Sequence, residues 1–194
     1  GHAVGAACGI LKGNGDGTYT QIGVYPLDGG AANDIEVADV NNDGHLDIAT
    51  ALRNIDSCGV LLGNGDGTFQ DNVLYDVGIN PRGVTIAHDL NGDGFRDLAS
   101  ANKWNMPDLG SVTVRLNNGD GTFAAGTDYW SGSDTLYVIF EDIDGDEILD
   151  MTSCNLESYD ITIRPGVGDG TFGAATFVSL HNGVANGWPS RHYF

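Results

Sequence analysis

Residues 39–47 read Asp39-Val40-Asn41-Asn42-Asp43-Gly44-His45-Leu46-Asp47, and residues 63–69 read Gly63-Asn64-Gly65-Asp66-Gly67-Thr68-Phe69. Both stretches return. The acidic segment recurs at Asp89–Asp97 and Asp142–Asp150, with spacings of 50 and 53 residues. The glycine-rich turn closes on Tyr19, Phe69, Phe123 and Phe172, with spacings of 50, 54 and 49. Two motifs sharing one period mark an internal repeat, and a period near 50 belongs to solenoids, propellers or arrays.

Between the motifs lie short runs rich in Val, Ile, Thr and aromatics, bounded by Gly, Asn and Asp, which read as strands. In the second repeat they are Ile35–Val40 before the acidic loop, Leu46–Leu52 after it, Cys58–Leu62 before the glycine-rich turn and Thr68–Tyr75 after it. The Gly-Asp-Gly segment supplies the positive φ angles of a tight hairpin. No sustained i, i+3, i+4, i+7 stripe occurs, so no helix of note is expected. The fold class is all-β: propeller blades of four antiparallel strands, about four in this chain. Residues 1–20 match the later half of a repeat and residues 173–194 the earlier half. The fourth blade is therefore expected to be split between the termini without its acidic loop. The repeats fall at about 1–34, 35–83, 84–134 and 135–187, with 188–194 completing the N-terminal blade of a single domain.

The acidic loops follow Asp-x-[Asp/Asn]-x-Asp-x-x-x-Asp, with glycine at position 6 in the first two. Oxygen donors stand at positions 1, 3, 5 and 9, and the position-7 carbonyl adds another. The candidate ligand sets are Asp39, Asn41, Asp43, His45 and Asp47; Asp89, Asn91, Asp93, Phe95 and Asp97; and Asp142, Asp144, Asp146, Ile148 and Asp150. His45, Phe95 and Ile148 enter through their carbonyls. Hard oxygen donors in this number suit calcium, giving about three ions per chain. Without a cation such carboxylates repel one another and their pKa values rise. An EF-hand would place Glu at position 12, where Thr50, Ser100 and Ser153 stand, and would flank the loop with helices. The third loop departs from the pattern. Glu147 replaces the position-6 glycine, which strains an L-residue if φ is positive, and Asp144 adds a fourth carboxylate.

The run Asp39 to Ala51, followed by Gly59-Val60-Leu61-Leu62-Gly63-Asn64-Gly65-Asp66-Gly67-Thr68-Phe69, resembles the FG-GAP/VCBS repeat family, which includes the blades of the integrin α-subunit head. The resemblance covers essentially the whole chain. It implies calcium in the loop joining the first two strands of a blade, an extracellular setting (secreted or at the cell surface) and rings of about seven blades. Family members bind very different ligands.

Composition narrows the rest. The 194 residues carry 27 acidic against 8 Lys plus Arg, a net charge of −19, which excludes a nucleic-acid binder working by bulk charge. No run of about 18 apolar residues exists, so no helical membrane insertion is expected. The first residues lack a basic region and an apolar region, so any signal peptide is expected to have been removed. Of three cysteines, Cys8 and Cys58 sit at equivalent strand positions and are expected to be small buried residues; no Cys-x-x-Cys occurs.

No Gly-x-Ser-x-Gly, His-Glu-x-x-His or Walker-type loop is present, and the five histidines show no metal-ligand spacing. The chain is therefore expected not to be an enzyme. Function should lie in what is not repeated, on loops held by the scaffold. The insertion Asn102–Pro107 is expected to lengthen a loop, and Trp104, Trp130 and Trp188 are candidate ligand-stacking residues for a glycan or protein. The expected role is an adhesion or binding module. Alternatives are the auxiliary region of a secreted enzyme or a self-assembling structural protein. A row of blades leaves an apolar face at each end, so self-association or docking with further propeller blades is expected.

Overall fold

The computed structural model describes residues 6–86, 88–106 and 109–180, residues 104–106 by their backbone alone. The fold is all-β, with no helix among the described residues. Strands β1 (Ala7–Gly13) and β2 (Tyr19–Pro26) pair as a half-blade. Three four-stranded antiparallel blades follow in chain order. The first full blade is β3 (Ala32–Ala38), β4 (Asp47–Leu52), β5 (Ser57–Leu61) and β6 (Val73–Asp76). The second is β7 (Ile79–Thr85), β8 (Leu98–Met106), β9 (Leu109–Arg115) and β10 (Thr127–Trp130). The third is β11 (Thr135–Glu141), β12 (Asp150–Asn155), β13 (Asp160–Arg164) and β14 (Thr176–Ser179). The sheets form an open row of propeller-like blades. Residues 188–194, expected to complete the half-blade, and Trp188 among them, lie outside the described residues.

The second strand of each blade shows why the blades stack. A strand alternates its side chains between two faces. In β4, Ile48 and Leu52 turn back onto a cluster with Leu27, Leu61, Tyr25 and Phe69. Ala49 and Ala51 turn forward onto Val84, Ile86, Leu98 and Phe123 of the next blade. In β8 the pattern repeats: Leu98 turns back, while Ala99 and Ala101 meet Val138, Phe140 and Met151. Small residues on the forward face let the next sheet approach closely. Both faces are covered, so β4 is buried from end to end.

A tyrosine of the half-blade and of each of the first two full blades reaches the post-turn aromatic of the next blade. Tyr25 meets Phe69, Tyr75 meets Phe123 and Tyr129 meets Phe172, with ring centroids 5.5, 5.2 and 5.4 Å apart in edge-on geometry. The Phe69 N–H donates to the Tyr25 hydroxyl at 3.0 Å. Such pairs contribute about 0.5–1.5 kcal/mol beyond area burial. In the third full blade Val178 takes the tyrosine's place. Its row Tyr137, Cys154, Ile161 and Val178 lies on one face of the sheet. Tyr137 and Ile139 there are 59% and 56% exposed.

Two expectations are corrected. The insertion after Asn102 is not a loop. It extends β8 to Met106, with the register of β8 on β9 shifting between Asn102 and Met106. Trp130 likewise ends β10 rather than sitting in a connecting loop. Cys58 is fully buried in β5, while Cys8 in β1 is only half-buried. All three cysteines are free.

Candidate metal centre

Each acidic loop joins the first and second strands of a full blade and lies at the same end of that blade as its glycine-rich hairpin. The last aspartate of each loop is a clasp. Asp47 accepts the Val40 N–H at 2.9 Å on Oδ2 and the Gly63 N–H at 2.7 Å on Oδ1. Asp97 does the same with Leu90 at 2.7 Å and Asn117 at 2.8 Å, and Asp150 with Ile143 at 3.0 Å and Gly166 at 2.8 Å. The loop is thus tied to the hairpin of its own blade. Each oxygen keeps a second lone pair. These aspartates are buried. Burial pushes the Asp47 carboxyl above its usual range and pushes Asp97 up to about 6, with nearby Asp93 and Asp89 adding to the rise.

The remaining acidic positions fold inward on backbone N–H groups. In the first loop Asp39 accepts from Gly44 at 2.9 Å and Asp43 from His45 at 2.8 Å. The His45 N–H is the main cause of a lowered Asp43 pKa. In the second, Asp89 accepts from Gly92 and Gly94, both at 2.8 Å, and Asp93 from Phe95 at 2.9 Å. In the third, Asp142 accepts from Gly145 at 2.7 Å and Glu147 at 3.0 Å, and Asp146 from Ile148 at 2.8 Å. Asn41 and Asn91 each donate an amide N–H at 3.0 Å to the carboxylate two residues on. Asp144 has no such donor to offer. The Asp146 charge beside it raises its pKa.

Two observations fit these loops to a hard cation. One oxygen from each of Asp142, Asp144 and Asp146 lies within 4.8 Å of the others. Asp39 Oδ1 is shielded from solvent and accepts no hydrogen bond, although buried polar atoms are nearly always paired. The expected strain at Glu147 is present: its φ is +68°, against +83° at Gly44 and +92° at Gly94.

The position-7 side chains have a role that spacing did not reveal. A Cβ on Gly65 would lie 2.4 Å from the His45 ring, and one on Gly119 would lie 3.2 Å from Phe95. These side chains lie flat on the hairpin, and glycine leaves them room. The hairpin itself is held by Asp16, Asp66, Asp120 and Asp169, each of which takes the N–H and hydroxyl of the threonine two residues on.

Of the candidate stacking residues, Trp104 and Trp130 sit at the opposite end of their blade. Trp104 pairs with Ile79 in the backbone ladder, and Trp130 with Ser111. Both therefore belong to the end of the second full blade remote from the acidic loops. Trp130 is half-exposed, and its carbonyl accepts from Arg164 at 2.8 Å. Sequence reasoning missed the ionic group nearby. Arg82 and Lys103 each approach buried Asp134 at 3.5 Å, and Lys103 approaches Glu157 at 3.4 Å. No short motif marks that group, because its members come from four separate segments.

Stacked four-stranded blades with an acidic loop between the first two strands define a propeller-type repeat protein. The chain belongs to the FG-GAP-like repeat family, whose profile matches residues 7–50 and 89–153, more than half of its length. No curated protein matches it. Among solved structures it is similar to a lectin of Agrocybe aegerita described as specifically recognising non-reducing terminal N-acetylglucosamine. The identity is 27% and the TM-score 0.53, over 87% of this chain and 45% of the lectin. The chain thus spans less than half the length of that lectin. A likeness to the Tc holotoxin pore of Photorhabdus luminescens covers 91% of this chain and 11% of the pore. At 16% identity and a TM-score of 0.37 it carries no argument.

Proposed function

We propose that this chain is a calcium-stabilised, non-catalytic binding module of an extracellular protein and that its ligand is a glycan. The observation that carries the glycan reading is the 27% identity to a sugar-recognising lectin over 87% of the chain. Half-exposed Trp130 at the end of its blade suits the face of a sugar ring. The calcium reading rests on the family, the three gathered carboxylates and the orphaned Asp39 oxygen. The residues that would hold the ions are the Asp and Asn side chains of the three loops, with the carbonyls of His45, Phe95 and Ile148. A bound ion would neutralise the clustered carboxylates and fix the loops. Extracellular calcium is concentrated enough to fill even weak sites.

A glycan array probed with the chain in millimolar calcium tests the ligand. Binding that is lost in Trp130→Ala or Trp104→Ala, with the fold retained, is the expected result. No glycan above background in calcium overturns the glycan reading. A second reading, association with further blades or further copies of the chain, is favoured by the exposed Tyr137 and Ile139 face of the third full blade.

A further inference from the structure

The first two acidic loops are tied to each other across the blade boundary by two asparagines. Asn42, at position 4 of the first loop, has φ +57° and donates from Nδ2 to the Gly94 carbonyl of the second loop at 3.0 Å. That carbonyl belongs to the Gly94–Phe95 peptide, whose N–H donates to Asp93 at 2.9 Å. One rigid peptide plane therefore connects Asn42 to a carboxylate of the second loop.

Asn117 runs the other way. Its backbone N–H donates to Asp97 at 2.8 Å, and its Nδ2 donates to the Val40 carbonyl of the first loop at 2.7 Å and to the Arg96 carbonyl at 2.8 Å. Val40 in turn donates its N–H to Asp47 at 2.9 Å. Asn117 is 5% exposed, so its bonds are made in a poorly screened setting and are costly to break.

The next boundary lacks both residues. Gly92 occupies the place of Asn42 in the second loop, and Gly166 the place of Asn117 in the third full blade. Glycine has no side chain to bridge with.

We propose that the first and second loops take up cations as a coupled pair, with Asn42 and Asn117 as positioning residues, while the third loop binds alone. The proposal rests on the calcium reading above. A cation that orders Asp39, Asn41 and Asp43 also orders Asn42 between them, and so the Gly94–Phe95 peptide. The second cation then meets a loop whose ordering cost has been partly met. By linkage the effect is reciprocal.

Calcium titration of the whole chain by calorimetry, with terbium luminescence as a second readout, tests this. The expected result is two ions bound with a Hill coefficient above one and a third bound separately. The pair should persist in Asp146→Ala. The double variant Asn42→Gly with Asn117→Gly carries the residues the sister blades use, so the fold should be retained, as near-ultraviolet circular dichroism checks. It should bind three ions without cooperativity, the pair weakened about fivefold or more. Three independent ions in the native chain, or cooperativity that survives the double variant, overturns the coupling and leaves the calcium reading standing. No ion bound at millimolar calcium overturns both.

Discussion

The two boundaries between full blades share a tyrosine pair but differ in their other ties. Between the first and second full blades polar ties run the length of the boundary, from the far end, where Asn33 Nδ2 donates to the Arg82 carbonyl at 3.0 Å and the Asn80 N–H to Asp56 at 2.8 Å, to the inner strands and the acidic loops. Asp34 and Glu36 accept the backbone N–H groups of Val84 at 3.1 Å and Ile86 at 3.0 Å, and Asn42 and Asn117 join the loops. Between the second and third the ties are an aromatic pile and an ionic group. Phe140 of the third full blade lies 5.7 Å from His88 of the second, with Phe172 of its own blade stacked behind it at 5.6 Å, and at the far end Asp134 receives Arg82 and Lys103. One backbone plan thus accepts polar cross-links at either end of the blade. On the coupled-pair proposal the first boundary should respond to cations and the second to charge and packing.

The largest expected effect comes from removing calcium. An ion bound only by the native state stabilises by about 2.7 kcal/mol at a hundredfold excess over Kd, so chelation should lower Tm by many degrees. Hydrogen exchange in chelator should show protection lost first at the boundary of β3 with β7. A melting curve unchanged by chelator breaks the comparison at its root. Exchange that rises equally at both boundaries removes the distinction between them.

Asp134→Asn should act on the other boundary. It removes the anion that Arg82 and Lys103 share, Lys103 keeping Glu157, a loss of about 3 kcal/mol for a buried partner, measured by urea unfolding. Exchange should rise along β11 and leave β3 unchanged. A loss below about 0.5 kcal/mol would mark the group as one of the surface ion pairs that contribute little.

The smallest effect concerns what all blades share. The Thr122 hydroxyl and then its backbone N–H hold the Asp120 carboxyl below its usual range, and the counterparts Asp16, Asp66 and Asp169 are lowered in the same way. A depressed folded pKa means stability that is fully present above the unfolded value of about 3.9 and is lost as pH falls through the folded value. Asp120→Asn should therefore flatten the fall of Tm with pH below about 4. A slope identical to that of the native chain would show that the hairpin carboxylate gains nothing from the fold.

Strand order was legible because the repeat is written twice over, in the acidic loop and in the hairpin. The strand read at Leu46–Leu52 forms as Asp47–Leu52, and that read at Cys58–Leu62 forms as Ser57–Leu61. Thr68–Tyr75 proved shorter. Phe69 makes only an isolated bridge to Gly63, and β6 begins at Val73. The acidic positions could be named from spacing, but the clasp role of Asp47, Asp97 and Asp150 could not, because their partners lie on a hairpin up to 20 residues away. The insertion at Asn102 read as a loop because Pro107 and Asn105 are turn residues; pairing with β9 prevailed. The Asn42 and Asn117 bridges show in a sequence only as two asparagines where sister repeats carry glycine.

The tyrosine pairs give the row a direction in time. Tyr25 precedes its partner Phe69 by 44 residues, and Tyr75 and Tyr129 likewise precede theirs. On a ribosome adding about 5–20 residues per second, the partner arrives roughly 2–9 s after the tyrosine. The half-blade and the first two full blades thus hold out an aromatic ring for a successor still being made, and no pairing among these three has to wait for the far end of the chain. Such a molecule can be assembled in the order of its own translation, one neighbour at a time.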